Sequence, residues 1–360
     1  MYEVDMPETD TPATEEPDPR LARYSRQMLF EAIGHAGQKR LQHAQVALIG
    51  CGALGSVLAN TLVRGGVGFL RIVDRDFIEL DNLQRQVLFD EHDIAQNLPK
   101  AEAAARKLRK INSAVEIDPV VADANPANIE GFCAEVDLIL DGTDNFETRF
   151  LINDAAVKHG VPWVYGACLA AEGLVMPVLP HETACLRCIW EAPPPPGTTP
   201  TCDTVGVLAS VVNIVASLQA VEALKILTGR LEDLNRKLLT IDAWRGTVRA
   251  VNMQSAHDQG DCRCCKHGEY EFLSGERASY TTTLCGRNAV QLLQPAGTKV
   301  NFKQIAARLG ARTRPRFNEY MLRFAVDDYQ ITLFPDGRAI IQGTADAATA
   351  RGVYAKYIGT

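Results

Sequence analysis

The run Gly50-Cys51-Gly52-Ala53-Leu54-Gly55 restricts the fold more than any other feature of this chain. It follows a short, continuous apolar segment, residues 46–49, and precedes a helical pattern over residues 54–64. A strand, a GxGxxG turn and a helix in that order form a nucleotide-binding unit. The glycines permit the tight turn and let the backbone approach a phosphate closely. Asp74 ends the next strand-like run, residues 69–74, where a carboxylate can accept hydrogen bonds from ribose hydroxyls. Taken alone, this pairing points to NAD.

The rest of the pattern sets the fold class. Strand-like runs at residues 115–121, 136–140 and 162–165 alternate with helical ones at 100–111 and 147–159. Such alternation predicts an α/β fold with a doubly wound, mostly parallel, Rossmann-like sheet. Residues 21–41 read as helical with a break at Gly34 to Gly37. Further strands are expected at 173–178 and within 237–252, and a long helix over 207–227. Beyond residue 279 the character changes to short strands and helices. The sequence there predicts strands at 280–284, 320–326, 330–334 and 339–342, a helix start at 285–293, and helices at 302–309 and 345–357. The expected organisation is a disordered acidic tail (1–20), a nucleotide-binding domain (21–270) and a small α+β domain (279–360).

Composition excludes several classes. The net charge is −7, so broad binding to nucleic acid, which needs a basic face, is not expected. The first residues are acidic and rich in Pro and Thr, unlike a secretory signal. The apolar stretch 205–227 is interrupted by Ser210, Asn213, Ser217, Gln219, Glu222 and Lys225, which reads as a buried helix instead of a membrane span. These features predict a cytoplasmic protein, in which ten cysteines point to metal ligands or reactive thiols before disulfides.

Three further motifs carry chemistry. Asp81-Asn82-Leu83-Gln84-Arg85-Gln86, with Lys100 beyond it, brings polar and cationic groups close after the ribose strand. Two cations suit a triphosphate better than the pyrophosphate of NAD. Asp141-Gly142-Thr143-Asp144-Asn145 closes a strand at its carboxyl end, where such sheets bind ligands. A carboxylate there can hold Mg²⁺, and Asp144 or Asn145 can equally cap the following helix. Cys185/Cys188 and Cys262/Cys265 form two CxxC pairs, the pattern of a four-thiolate structural Zn²⁺ site, with Cys264 as a neighbouring competitor. Cys202 precedes the long helix and is a candidate exposed nucleophile. Cys51, Cys133 and Cys168 read as packing residues, and Cys285 as a weak second thiol candidate.

In combination these residues, with Arg23-Tyr24-Ser25-Arg26-Gln27 at the start and Gly206 to Gly229 near the end, resemble the MoeB/ThiF family, relatives of the ubiquitin-activating enzymes. The resemblance spans residues 21–268. It implies an adenylyltransferase that uses ATP and Mg²⁺ to activate the C-terminal glycine carboxylate of a small ubiquitin-like sulfur carrier protein ending in Gly-Gly. Carried over residue by residue, it gives Gly50, Gly52 and Gly55 the nucleotide turn, with Ala53 where many members have another glycine. It gives Asp74 the ribose, and Asn82, Arg85 and Lys100 the phosphates. Asp144 takes Mg²⁺, and Asn145 lines the site. Arg26 matches an arginine that reaches the ATP of the other subunit in a homodimer. Cys202 matches a cysteine that in some members forms a covalent intermediate. A sulfur donor such as a cysteine desulfurase or a rhodanese is implied as a further partner. The C-terminal segment is too short for a rhodanese domain, and Cys285 does not match a rhodanese loop. Two other readings share part of the pattern: an NAD-dependent oxidoreductase, and a superfamily member that adenylates a peptide or small molecule.

Overall fold

The structure is a computed structural model that describes residues 19–194, 202–275, 281–284, 288–293, 299–310, 313 and 315–358. The expected acidic tail and Cys285 lie outside the described residues, apart from Pro19 and Arg20. Among the described residues one sheet has eight strands: β1 (Gln45–Ile49), β2 (Phe69–Val73), β3 (Glu116–Val120), β4 (Leu138–Asp141), β5 (Trp163–Leu169), β6 (Glu172–Val178), β7 (Lys237–Asp242) and β8 (Thr247–Asn252). Their order is β3-β2-β1-β4-β5-β6-β7-β8. Strands β1 to β5 pair in parallel and β5 to β8 antiparallel. This is the expected doubly wound α/β sheet, extended by an antiparallel half.

Burial explains the sequence pattern. Val46, Ala47, Leu48 and Ile49 are all buried, because β1 lies at the sheet centre with helices on both faces. Alternate β1 side chains feed two cores, Val46 and Leu48 on one face and Ala47 and Ile49 on the other. The helix Ala209–Leu227 packs on β4, β5, β6 and the helix Ala53–Gly65. It is long and apolar enough to cross a membrane by length and composition, and half of that window is buried inside the fold. Its buried Gln219 donates to the Asp141 carbonyl (2.9 Å) and the Val164 carbonyl (3.2 Å), which ties the helix to β4 and β5.

Strand order reverses between β1 and β4, since β2 and β3 lie to one side and β4 returns on the other. The carboxyl ends of β1 and β4 therefore flank a crevice, the usual ligand position in such sheets.

A second, six-stranded antiparallel sheet follows: β9 (Thr281–Leu284), β10 (Ala289–Leu292), β11 (Arg316–Phe317), β12 (Leu322–Val326), β13 (Tyr329–Leu333) and β14 (Ala339–Gln342). The order is β11-β12-β13-β14-β10-β9. The helices Phe302–Leu309 and Ala347–Tyr357 complete its core.

Two expectations are corrected. The segment expected to start a helix after residue 284 forms β10 instead. Its four residues are all buried, and the strand pairs with both β14 and β9. A short apolar run carries no period that separates helix from strand, and pairing on both sides decided this one. Near the N-terminus the break falls before Gly34. The helix Ser25–Met28 ends earlier, turns follow over residues 29–33, and Gly34–Leu41 is one helix. Gly37 lies inside it, where a Cβ would press at 3.3 Å on Ile33 and Thr228, so that glycine serves packing.

Candidate functional site

The glycine turn sits in the crevice. The Gly50 N–H donates to the Val73 carbonyl and the Gly142 N–H to the Ile49 carbonyl, both at 2.8 Å, which binds the ends of β1, β2 and β4 together. Gly50 has φ +89°, and a Cβ there would lie 2.7 Å from the Gly142 carbonyl. At Gly55 a Cβ would run into the Gly50 carbonyl oxygen. Gly52 differs from both. Its φ is −81°, and a Cβ there would meet only the Gln86 amide nitrogen, at 3.8 Å. The fold thus requires glycine at 50 and 55 but leaves the space over Gly52 open. That space lies at the N-terminus of Ala53–Gly65, a helix whose first N–H groups suit an anion. Half-buried Ala53 opens this helix without closing the space.

Asp74 is built into the turn. One carboxylate oxygen accepts the Cys51 N–H (2.6 Å) and the other the Asp76 N–H (2.7 Å). Burial pushes its carboxyl above the ordinary range, against the pull of the Lys100 cation. Lys100 begins the helix Lys100–Ile111 directly after Pro99 and is itself buried. Its ammonium donates to Asp76 (3.1 Å), and its backbone N–H donates to the Asp76 carbonyl (2.8 Å).

The loop at residues 81–86 runs alongside. Buried Asn82 shapes it: the side-chain oxygen accepts the Glu79 N–H (3.2 Å), and the amide donates to Asp81 (2.9 Å). Half-buried Arg85 donates to the Asp81 carbonyl (2.6 Å). Asp81 and Gln84 are exposed, and Leu83 packs on the main core. Gln86 is buried beside Gly52, and its side-chain oxygen has no hydrogen-bond partner among the described residues.

At the end of β4 the residues of one motif divide the work. Asp141 is fully buried and accepts from Thr143 (N–H 2.9 Å, hydroxyl 2.7 Å) and from the Arg149 guanidinium (3.1 Å). Arg149 also donates to the Thr143 and Gly166 carbonyls. Of the two candidate caps, Asn145 takes the role by accepting the Thr148 N–H (2.9 Å). Asp144 is exposed, 3.5 Å from the Asn145 amide, and free of capping.

The four cysteines of the CxxC pairs converge. All four sulfurs lie within 4.8 Å of one another, with Cys185–Cys262 at 3.6 Å, Cys188–Cys265 at 3.5 Å and Cys185–Cys188 at 3.8 Å. Four thiolates about 2.3 Å from a tetrahedral Zn²⁺ stand about 3.8 Å apart, so the cluster fits that ion. Cys264 does not join it. The thiol is fully buried and accepts from the Asn153 amide at 3.3 Å.

The remaining candidates lie apart. Cys202 is half-buried and donates to the Cys168 carbonyl (3.4 Å) near the carboxyl end of β5. It opens a helix of only four residues, Cys202–Val205, ahead of the long helix that starts at Ala209. Cys51 and Cys133 are buried packing residues, as read from sequence, and half-buried Cys168 packs on the core. Burial pushes the Cys133 and Cys168 thiols up to about 12. Arg26 is exposed on Ser25–Met28, beside exposed Leu29 and Phe30, with no hydrogen bond or ion pair to the described residues of the turn. Sequence reasoning missed Asp76, which accepts from Lys100, and Arg75 and Asp123, which are linked to it in turn, as well as the Arg149 partner of Asp141. Asp76 carried a signal as the second acid of Asp74-Arg75-Asp76; the others carried none.

An open glycine turn at the switch point, a carboxylate built into it and a buried lysine define a nucleotide-binding α/β protein with a separate four-thiolate centre. The ThiF family profile matches residues 24–265, and the chain belongs to that family. It is 43% identical over 341 residues to the sulfur carrier protein ThiS adenylyltransferase of Bacillus subtilis (strain 168), covering 94% of this chain and 99% of that protein. It is 38% identical to the SAMP-activating enzyme E1 of Haloferax volcanii, covering 71% of this chain and 92% of that one. Its fold is similar to that of E. coli MccB in complex with MccA-N7isoASN, with TM-score 0.60 and 24% identity over 69% of this chain and 76% of that chain.

Proposed function

We propose that this chain is an ATP-dependent adenylyltransferase acting on the C-terminal carboxylate of a small ubiquitin-like sulfur carrier protein that ends in Gly-Gly. The observation that carries the reading is the near-complete match to a ThiS adenylyltransferase. The open space over Gly52, beside buried Lys100, supports it.

In the reaction a carboxylate oxygen of the carrier attacks the α-phosphorus of ATP. A phosphorus–oxygen bond forms, the α–β anhydride bond breaks, and pyrophosphate leaves. A carboxylate is a weak nucleophile and ATP is highly anionic, so positioning and charge neutralisation supply most of the acceleration. Gly50, Gly52, Ala53 and Gly55 form the turn, and Asp74 holds the ribose. Asn82, Arg85 and Lys100 face the phosphates, with Asp81, Leu83 and Gln84 shaping their loop. Asp144 and Asn145 line the β4 side. Asp144 would hold Mg²⁺ together with phosphate oxygens, as a hard cation with few protein ligands prefers. When bound, that ion neutralises phosphate charge. Zn²⁺ on Cys185, Cys188, Cys262 and Cys265 is structural, since four thiolates leave no open position.

Arg26 acts on the site of a second copy in a homodimer. Exposed Leu29, Phe30, Ile214 and Val221 support such an interface. Gln27 and Leu224 both come within 4.0 Å of a Cβ position at Gly65, so the Arg26 helix borders the helix that carries Ile214 and Val221. Cys202 serves the later sulfur transfer, supplied by a donor such as a cysteine desulfurase or rhodanese. The setting is the cytoplasm.

Calorimetry with ATP–Mg²⁺ and with NAD tests the nucleotide. Tight NAD binding without ATP binding would sink the reading. Pyrophosphate exchange with a Gly-Gly carrier tests the chemistry. Asp144→Ala should abolish exchange, and an undiminished rate would make Asp144 a surface residue only.

A further inference from the structure

Five polar side chains run in a line from the C-terminal sheet to the nucleotide crevice. The Gln291 amide on β10 donates to one oxygen of Asp123 (2.8 Å). The other Asp123 oxygen accepts from Arg75 (2.7 Å). The Arg75 guanidinium lies 3.7 Å from one oxygen of Asp76, whose other oxygen accepts from Lys100 (3.1 Å). Each carboxylate thus uses its two oxygens on opposite neighbours. The Asp76 backbone N–H, in turn, donates to Asp74.

An apolar contact holds the line in place. Phe77, Met321 and Phe334 form a small separate core across the two sheets, with the Phe77 and Phe334 rings 5.9 Å apart. Asn318 adds a bond to the Asn97 carbonyl (3.0 Å) at a different point of the seam. Gln291 is fully buried although it is polar, and Asp123 is largely buried. Burying a polar side chain costs free energy that its hydrogen bonds must offset; here the Gln291 amide is satisfied by Asp123, while its side-chain oxygen has no partner among the described residues. The match to the ThiS adenylyltransferase covers 94% of this chain, which leaves too few residues unmatched for the C-terminal sheet to lie outside it.

We infer that the C-terminal sheet is a working part of the nucleotide site, with Gln291 and Asp123 as positioning residues for Lys100. Arg75 would otherwise turn its charge fully onto Asp76 and draw that carboxylate away from Lys100. Gln291 fixes Asp123, Asp123 holds Arg75 back, and Asp76 keeps one oxygen on the Lys100 ammonium at the edge of the crevice. The inference rests on the proposed role of Lys100 at the ATP phosphates.

The test is ATP-dependent pyrophosphate exchange with full-length protein and a Gly-Gly carrier, measured for Lys100→Ala, Gln291→Met and Asn318→Ala. Gln291→Met keeps length and burial but removes the donor. It should raise KM for ATP about tenfold, the factor carried by a hydrogen bond to a charged group, with KM for the carrier unchanged. Asn318→Ala loosens the seam away from the line and should leave KM for ATP at the wild-type value. Equal changes in both variants would make the C-terminal sheet a docking element only and overturn the inference. So would a wild-type KM for ATP in folded Gln291→Met while Lys100→Ala is impaired. An unimpaired Lys100→Ala would remove the functional reading itself, and the inference with it. Should Gln291→Met fold poorly, Asp123→Asn breaks the line from the other side of the same bond and should raise KM for ATP in the same way.

Discussion

The glycine turn and the cysteine centre are both candidate ligand sites, yet they are built on opposite plans. The turn is contiguous in sequence, and at one of its glycines, Gly52, an added Cβ would meet only the Gln86 side chain. The cysteine centre joins two CxxC segments 77 residues apart and brings four sulfurs together in a cluster of three buried cysteines and one half-buried one. Without a cation such a cluster has nothing to hold its thiolates at that spacing. A site that stays open can lose its ligand and remain folded, whereas a closed site has its ligand as part of its core.

The largest expected effect follows from the closed site. Cys188→Ser removes one thiolate from the shell, so metal and folding stability should fall together. Metal analysis should find far less than one zinc per chain. Melting should drop by about 5 °C or more, because each kcal/mol is worth about 2–4 °C in a domain of this size. Full zinc occupancy with unchanged melting would erase the contrast between the two sites.

The open site predicts the reverse, a large loss of activity with no loss of fold. Arg26→Ala should lower adenylation about 100-fold or more, as removal of a charge-stabilising group does, while zinc content and melting stay as they are. Mixing Arg26→Ala with Asp144→Ala chains should restore part of the activity. The mixed dimer then holds one site with both residues and one with neither. If Arg26 worked within its own chain, every site would lack one residue. Absence of rescue after confirmed subunit exchange would rule out completion of the site by a second copy.

Within the turn itself the contrast can be sharpened residue by residue. Gly55→Ala drives a methyl into the Gly50 carbonyl and should cost about 1–3 kcal/mol, the usual range for overpacking. Gly52→Ala meets only Gln86, so its stability cost should stay within about 0.5 kcal/mol. Its damage should instead appear in ATP affinity by calorimetry. The opposite ranking would show that the space over Gly52 holds no ligand.

How legible each site was depends on how its parts are distributed along the chain. Gly50 to Gly55 and Asp74 stand at the ends of strands rich in apolar residues, and both were readable. The CxxC pairs were readable because their chemistry is the same at both ends. What sequence could not give was the sharing of work between neighbours. Asp144 and Asn145 are equivalent cap candidates until the backbone direction is known, and only Asn145 accepts from Thr148. The line from Gln291 to Lys100 was invisible, because its members come from distant segments joined by docking of the second sheet. The strand β10 was misread for the same reason, since pairing with β9 and β14 overrides local pattern.

The division between Asp144 and Asn145 gives the smallest and most local prediction. The Asn145 side chain satisfies one of the N–H groups that the helix Phe146–His159 leaves without a partner. Asn145→Ala should therefore cost about 1 kcal/mol of stability, the usual value of a lost cap. Asp144 accepts no backbone N–H of that helix, so Asp144→Ala should cost almost nothing in a urea titration. The two neighbours would then separate cleanly. The Asn145 variant shifts the denaturation midpoint; the Asp144 variant keeps its midpoint and loses exchange. If Asp144→Ala shifted the midpoint as far as Asn145→Ala, the acid would be acting on the helix after all. Its loss of activity would then say nothing about a ligand at the end of β4.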